Sequence, residues 1–242
     1  MIKMICFIKR KVGLSLEDFR EHWLHSHGQL VASLPDFRRH IVRYEQNCRL
    51  DSDYERDQGS ASEGFDGVTI QWFESRREFY AFALEPSYKD TIFVDEGKFL
   101  DRSSISFLLC HEPDVIFDEA AERAKAGVKL IAMLQRLPEL DRDAFRRHWE
   151  NDHAGIFRDT PELARHIVAY HQHRRLDKDY ERDQGGGFDG VTEQWYASQS
   201  DFDAFVREPL FAEKVYPDER KFLMQSQTRW MLTRAPDVII EP

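Results

Sequence analysis

Short apolar runs, some in strict alternation and some at helical spacing, succeed one another along the chain in an order that occurs twice. Ile2–Ile8 is apolar, β-branched and of strand length. Phe19, Trp23, His27 and Leu30 then recur at i, i+4, i+8 and i+11, which is one face of an α-helix. Ser15 with Asp18 supplies an N-cap and an acidic third position for that helix, and Pro35 ends it. A second strand is expected over 40–47, followed by a charged β–β loop over 49–64. Asp66-Gly67-Val68 leads into a third strand at 68–73, and a second helix covers about 75–84. Asp95-Glu96 and Phe99 suggest a short helical turn. A last strand at 104–109 closes the unit before Pro113. The order is βαββαβ, a ferredoxin-like unit.

The same order returns from Val128–Leu134 onward. Phe19-Arg-Glu-His-Trp23 reappears as Phe145-Arg-Arg-His-Trp149, and Arg39-His40-Ile41-Val42 as Arg165-His166-Ile167-Val168. Asp53-Tyr-Glu-Arg-Asp-Gln-Gly59 is repeated intact at Asp179 to Gly185. Asp141 keeps the helix cap, and Pro161 ends the helix. A unit of about 120 residues is a domain rather than a solenoid repeat. The expected division is a first domain over 1–118, a linker over 119–127 and a second domain over 128–242. A ferredoxin-like sheet carries helices on one face only, and its bare apolar face must be covered. Two tandem units can cover each other. The fold class expected is therefore α+β, with two units forming an intramolecular pseudo-dimeric α/β barrel whose lumen would hold a small ligand.

Composition narrows the function classes. The chain is 41% hydrophobic, as globular proteins are, and its net charge of −10 argues against a nucleic-acid partner. No apolar run reaches the roughly 20 residues of a membrane span, and the start is too quickly charged for a signal peptide. Cys6, Cys48 and Cys110 all lie in the first copy, where the second has Ala132, Arg174 and Thr233. They form no shared framework, and a reduced cytoplasmic protein is the expectation.

Phe-x-x-His-Trp-x-x-x-His, then Asp-Gly-Val-x-x-x-Trp-Phe/Tyr and a late Asp-Glu-x-x-Phe, stand in both copies. Together they resemble the EthD family of the dimeric α/β-barrel superfamily. The resemblance implies the same barrel. It leaves the reaction open, because the superfamily includes cofactor-free cyclases, dehydratases, decarboxylases, isomerases and quinone-forming monooxygenases, as well as haem proteins.

Candidate chemistry sits mostly in the second copy. His27 and His153 share the apolar helix face and could act as general bases. His22 and His148, five residues earlier, fall on another face of an α-helix and read as surface groups. On the second strand Tyr170 and Gln172 share one face, and His171 and His173 the other. A His-x-His pair can present two imidazoles to a metal, but no carboxylate is fixed beside them by sequence, and no metal is expected. Glu193 replaces Ile70 on an apolar strand face, where desolvation would raise its pKa. Arg229 replaces Ser106 and is expected to meet Glu193 across the sheet. Tyr170 could donate to a carbonyl or enolate oxygen. Since the first copy has Glu45, Asn47, Ile70 and Ser106 at these positions, one principal site in the second copy is expected, without a cofactor.

The leading expectation is a cofactor-free lyase or isomerase, performing dehydration, cyclisation or related proton transfer. Its substrate would be a small aromatic or polyketide-like carbonyl compound of catabolism or secondary metabolism. A histidine would remove the proton, and Tyr170 or Arg229 would stabilise the oxyanion. The alternatives are a cofactor-free or haem-assisted oxidative enzyme and a non-catalytic binding protein. A homodimer stays open, and no membrane partner is expected.

Overall fold

The computed structural model describes residues 1–57, 62, 64–182 and 187–241. Each half contributes four antiparallel strands. The first has β1 (Ile2–Ile8), β2 (Arg43–Cys48), β3 (Gly67–Phe73) and β4 (Ser106–His111); β5 (Asp114–Asp118) follows. The second has β6 (Val128–Leu134), β7 (Ala169–Arg174), β8 (Gly190–Tyr196) and β9 (Arg229–Arg234); β10 (Asp237–Ile240) follows. The sheets run β10-β2-β3-β1-β4 and β5-β7-β8-β6-β9, so each half lends its last strand to the other's sheet. Neither lent strand is in the pattern expected from hydrophobic runs. Their signal is the repeated Pro113-Asp-Val-Ile and Pro236-Asp-Val-Ile, where a proline opens a short edge strand.

The helices begin as the caps foretell. Ser15 Oγ accepts from the Asp18 amide at 3.0 Å, and Asp141 Oδ1 accepts from the Ala144 amide at 2.7 Å. The middle of each first helix departs from α geometry: His22–His27 and His148–His153 are π-helical. The wider turn brings residues five apart onto one face, so His22 joins His27 and His148 joins His153. That corrects the placement of His22 and His148 on a separate surface face. Both first helices also lay a tryptophan on β3 or β8. A Cβ at Gly67 would stand 2.5 Å from the Trp23 ring, and one at Gly190 would stand 2.6 Å from the Trp149 ring. The glycine of the Asp-Gly-Val motif is thus required by the tryptophan of the His-Trp motif.

The helix-free faces pack directly on each other. Ile5, Phe7, Val68 and Ile70 of the first half interdigitate with Ile131, Met133, Val191 and Met231 of the second in one buried cluster. The expected ligand-sized lumen between the sheets is therefore replaced by a packed layer, apolar around this cluster and ion-paired around Glu193.

The charged segment expected as a β–β loop docks the halves. It contains a helix, Asp51–Asp57, preceded by the Leu50 amide donating to the Leu232 carbonyl at 2.9 Å. Symmetrically, the Leu176 amide donates to the Leu109 carbonyl at 2.8 Å. Arg49 with Asp53, and Arg175 with Asp179, form buried pairs at 2.7 Å. The far ends of the repeated motif, 58–59 and 183–185, lie outside the described residues. Among the described residues no helix is long and apolar enough to cross a membrane.

Candidate functional site

A cavity of about 520 Å³ lies on the helix side of the second sheet, between its strands and the second half's helices. Leu130, Phe157, Phe202, Phe205 and Trp230 make its wall mainly apolar and aromatic. Strand alternation places Tyr170, Thr192 and Gln194 on this face, and the π-turn delivers His153.

His153 Nδ1 lies 3.0 Å from Asp218 Oδ2, and His148 Nε2 lies 3.0 Å from Asp218 Oδ1. Burial works to raise the Asp218 pKa, but hydrogen bonds from His153 and Lys221 outweigh it and hold the carboxyl below its usual range. Asp218 is thus an anion that accepts a hydrogen bond from His153 Nδ1 and orients the ring. Glu219, also on the wall, has its carboxyl pKa raised by burial and accepts from Gln225 Nε2 at 3.3 Å. Burial likewise raises the Tyr170 phenol, which stays protonated while its oxygen accepts from Gln172 Nε2 at 2.8 Å.

The first half repeats this core geometry. His27 Nδ1 lies 2.9 Å from Asp95 Oδ2, and His22 Nε2 lies 3.0 Å from Asp95 Oδ1. Burial pushes Glu96, the counterpart of Glu219, up to about 7. Neither acidic pair was given a chemical role from sequence, where Asp95-Glu96 was read only as a short helical turn. Their signal was present in the repeated Asp-Glu-x-x-Phe.

The remaining candidates lie on the opposite face. His171, His173 and Glu193 are buried between the sheets. His173 Nε2 meets Glu193 Oε2 at 2.6 Å, and His171 Nε2 meets Asp118 Oδ2 at 3.1 Å. Glu193 is ion-paired with Lys129, and with Lys3 of the other half at 3.6 Å. Lys129 Nζ also lies 3.8 Å from Glu45 and donates to Asn47 Oδ1 at 3.2 Å.

This setting corrects the electrostatic expectation for Glu193. Burial does act to raise its pKa, but Lys129 and Lys3 outweigh that and keep it well below the ordinary glutamate range. For His173, burial and the nearby Lys3 lower the pKa to about 4, so the imidazole is neutral. The second correction concerns Arg229. β6 separates β8 from β9, Glu193 faces Ile131, and Arg229 faces Met133. The Arg229 guanidinium donates to the Ser226 and Thr228 carbonyls instead.

His171, His173 and Glu193 do offer ligand atoms within 4.8 Å of one another. The carboxylate that sequence could not place is therefore present. It is already neutralised: Lys129 and Lys3 pair with Glu193, Arg43 and Lys129 pair with Glu45, and a divalent cation would add charge to a buried cluster with no surplus negative charge.

The EthD domain matches residues 11–103 and 137–226, and the chain belongs to that family. Its two ferredoxin-like halves form a dimeric α/β barrel within one chain. An anthrone oxidase-like protein superposes with a TM-score of 0.68 at 8% identity, over 99% of this chain and 93% of its own. A Lactobacillus acidophilus protein provisionally named a monooxygenase gives 0.54 at 10% identity, over 98% and 94%. A chlorite dismutase from Candidatus Nitrospira defluvii, in complex with imidazole, gives 0.51 at 14% identity, over 96% and 90%. No protein of the curated set is similar in sequence.

Proposed function

We propose that the helix-side cavity of the second half is the site of a cofactor-free oxidase or oxygenase acting on a planar, phenolic, anthrone-like substrate. The observation that carries this reading is the His153–Asp218 pair set in an aromatic-walled cavity of about 520 Å³. The likeness to an anthrone oxidase-like protein and to a provisional monooxygenase supports the oxidative alternative over the lyase or isomerase first expected.

His153 Nε2 removes a proton from the substrate CH₂, and Asp218 stabilises the imidazolium formed. The carbanion, delocalised over the rings, passes one electron to O₂. Recombination of the substrate radical with superoxide forms a C–O bond, and the imidazolium returns its proton to the resulting peroxide. Loss of water, with the second C–H proton, leaves a ketone. The balance is R₂CH₂ + O₂ → R₂CO + H₂O. The Tyr170 phenol and the Gln194 amide supply polar contacts along the wall.

Haem fits this wall poorly. His153 could face it, but a haem brings two carboxylates, and Arg56 is the single Lys or Arg among the described lining residues.

The test is oxygen uptake by the purified protein with anthrone and hydroxylated anthrones. One O₂ consumed per quinone formed is expected, with a loss of about 10²–10⁴-fold in kcat for His153→Ala. Conversion of substrate without oxygen uptake would return the site to proton-transfer chemistry. Unchanged kcat in His153→Ala would remove the assigned base.

A further inference from the structure

The helical turn Tyr216–Glu219 presents two acids to two different surroundings. Asp218 points at the histidines and is held by His148, His153 and Lys221, so it has no proton to offer. Glu219, the next residue, lines the cavity together with Tyr216, three positions before it on the same helix face. The Glu219 carboxyl accepts from Gln225 Nε2 at 3.3 Å, and among the described residues no lysine or arginine is paired with it. Protonated, it can keep that bond on one oxygen and donate from the other. Burial favours this form, as it does in the counterpart Glu96, which is pushed up to about 7. The ionisable groups facing Glu219 are His153 from the π-turn, Asp218 beside it and Tyr170 from β7. Arg56 reaches the wall from the first half but is committed to Asp53. A base and a carboxylic acid thus share one mainly apolar cavity. Enolising a ketone needs that pair: one group takes the C–H proton while the other stabilises the oxygen.

We propose that Glu219 is the acid partner of His153, donating its O–H to the ketone oxygen of the substrate. The proposal rests on the cavity being the reaction site and adds a second catalytic residue to it. As the C–H bond breaks, the proton passes to His153 Nε2. The electron pair moves to the ketone oxygen, which becomes an enolate. Glu219 holds that oxygen by its hydrogen bond and keeps its own proton, so the balance of O₂ and water is unchanged.

The experiment follows kcat/KM against pH for oxygen uptake with anthrone by the full chain. A bell is expected, because turnover needs His153 unprotonated and Glu219 protonated. Glu219→Gln keeps the shape and an N–H donor but cannot ionise. Its profile should become a rise to a plateau, with kcat within about tenfold of the unaltered protein. Glu219→Ala should lose about 10²-fold in kcat with little change in KM, since the bond tightens only as charge develops on the oxygen. A falling limb that persists in Glu219→Gln overturns the proposal, as does an undiminished kcat in Glu219→Ala. In either case an inactive His153→Ala leaves the cavity reading standing. If the unaltered chain consumes no oxygen with anthrone, the cavity reading fails and the proposal falls with it.

Discussion

His153 and His173 each meet a buried carboxylate, at 3.0 and 2.6 Å, but on opposite faces of the same sheet. On the helix side Asp218 is shared by two histidines and Lys221, and His153 borders open space. Between the sheets Glu193 is held by two lysines, and His173 has no solvent exposure. Residue type is the same on both faces. Access differs: one pair can reach a substrate, and the other ties the two halves together. By residue type alone, the inter-sheet cluster looked the more chemical of the two.

The sharpest way to break this contrast is Glu193→Gln. It leaves Lys3 buried without its carboxylate and Lys129 with Glu45 at 3.8 Å alone, and a loss of about 3–5 kcal/mol of stability is expected, with ligand affinity of the folded protein retained. Denaturation curves alongside ligand titration check both parts. A stable variant that has lost its ligand would move the site between the sheets.

Acid should separate the two faces next. The His173 pKa is about 4 in the folded chain, against an ordinary value of 6.5. Between those values the unfolded chain takes up a proton that the folded chain refuses, so stability should fall as pH drops from about 6.5 to about 4. His171, lowered chiefly by burial, acts in the same direction. The folded-state pKa of Asp218 is depressed, so its contribution is kept above the ordinary aspartate range and is lost only as pH falls below it. Glu96 and Glu219, both raised by burial, act in the opposite sense over the same range, so the imidazole is followed by its own NMR titration: uptake of a proton by the His173 ring of the folded chain near the ordinary histidine value would contradict the buried neutral state.

The smallest effect on stability is expected from Ala132→Leu, which adds bulk to the cavity wall. Stability should change by no more than about 1–3 kcal/mol, while ligand affinity falls several-fold. Full affinity in this variant would show that ligand occupies another part of the cavity.

Much of the fold was legible in the chain. The βαββαβ order, the Ser15 and Asp141 caps and the pairing of two halves all follow from local pattern. The candidate site was legible only in pieces. His153 and Tyr170 were singled out and do border the cavity, but Asp218 and Glu219 were not, because a short acidic turn has no periodicity that sets it apart. Lys3 and Lys129 sit inside apolar strands, where a lone lysine reads as an edge residue until its carboxylate partner from another strand is known. The π-turns escaped because a 3.6-residue period assigns His22 and His148 to the wrong face.

The sequence by itself determined the duplication and the alternation that divides Tyr170 and Gln172 from His171 and His173. These are local or repeated features, set by strand period. Tertiary structure decided which face of the sheet would be packed shut and which would keep a cavity. It also decided that Glu193 would meet two lysines, and that Arg56 would cross to the other half. Those outcomes depend on strand order and on contacts between residues far apart in the chain, and no local pattern encodes them.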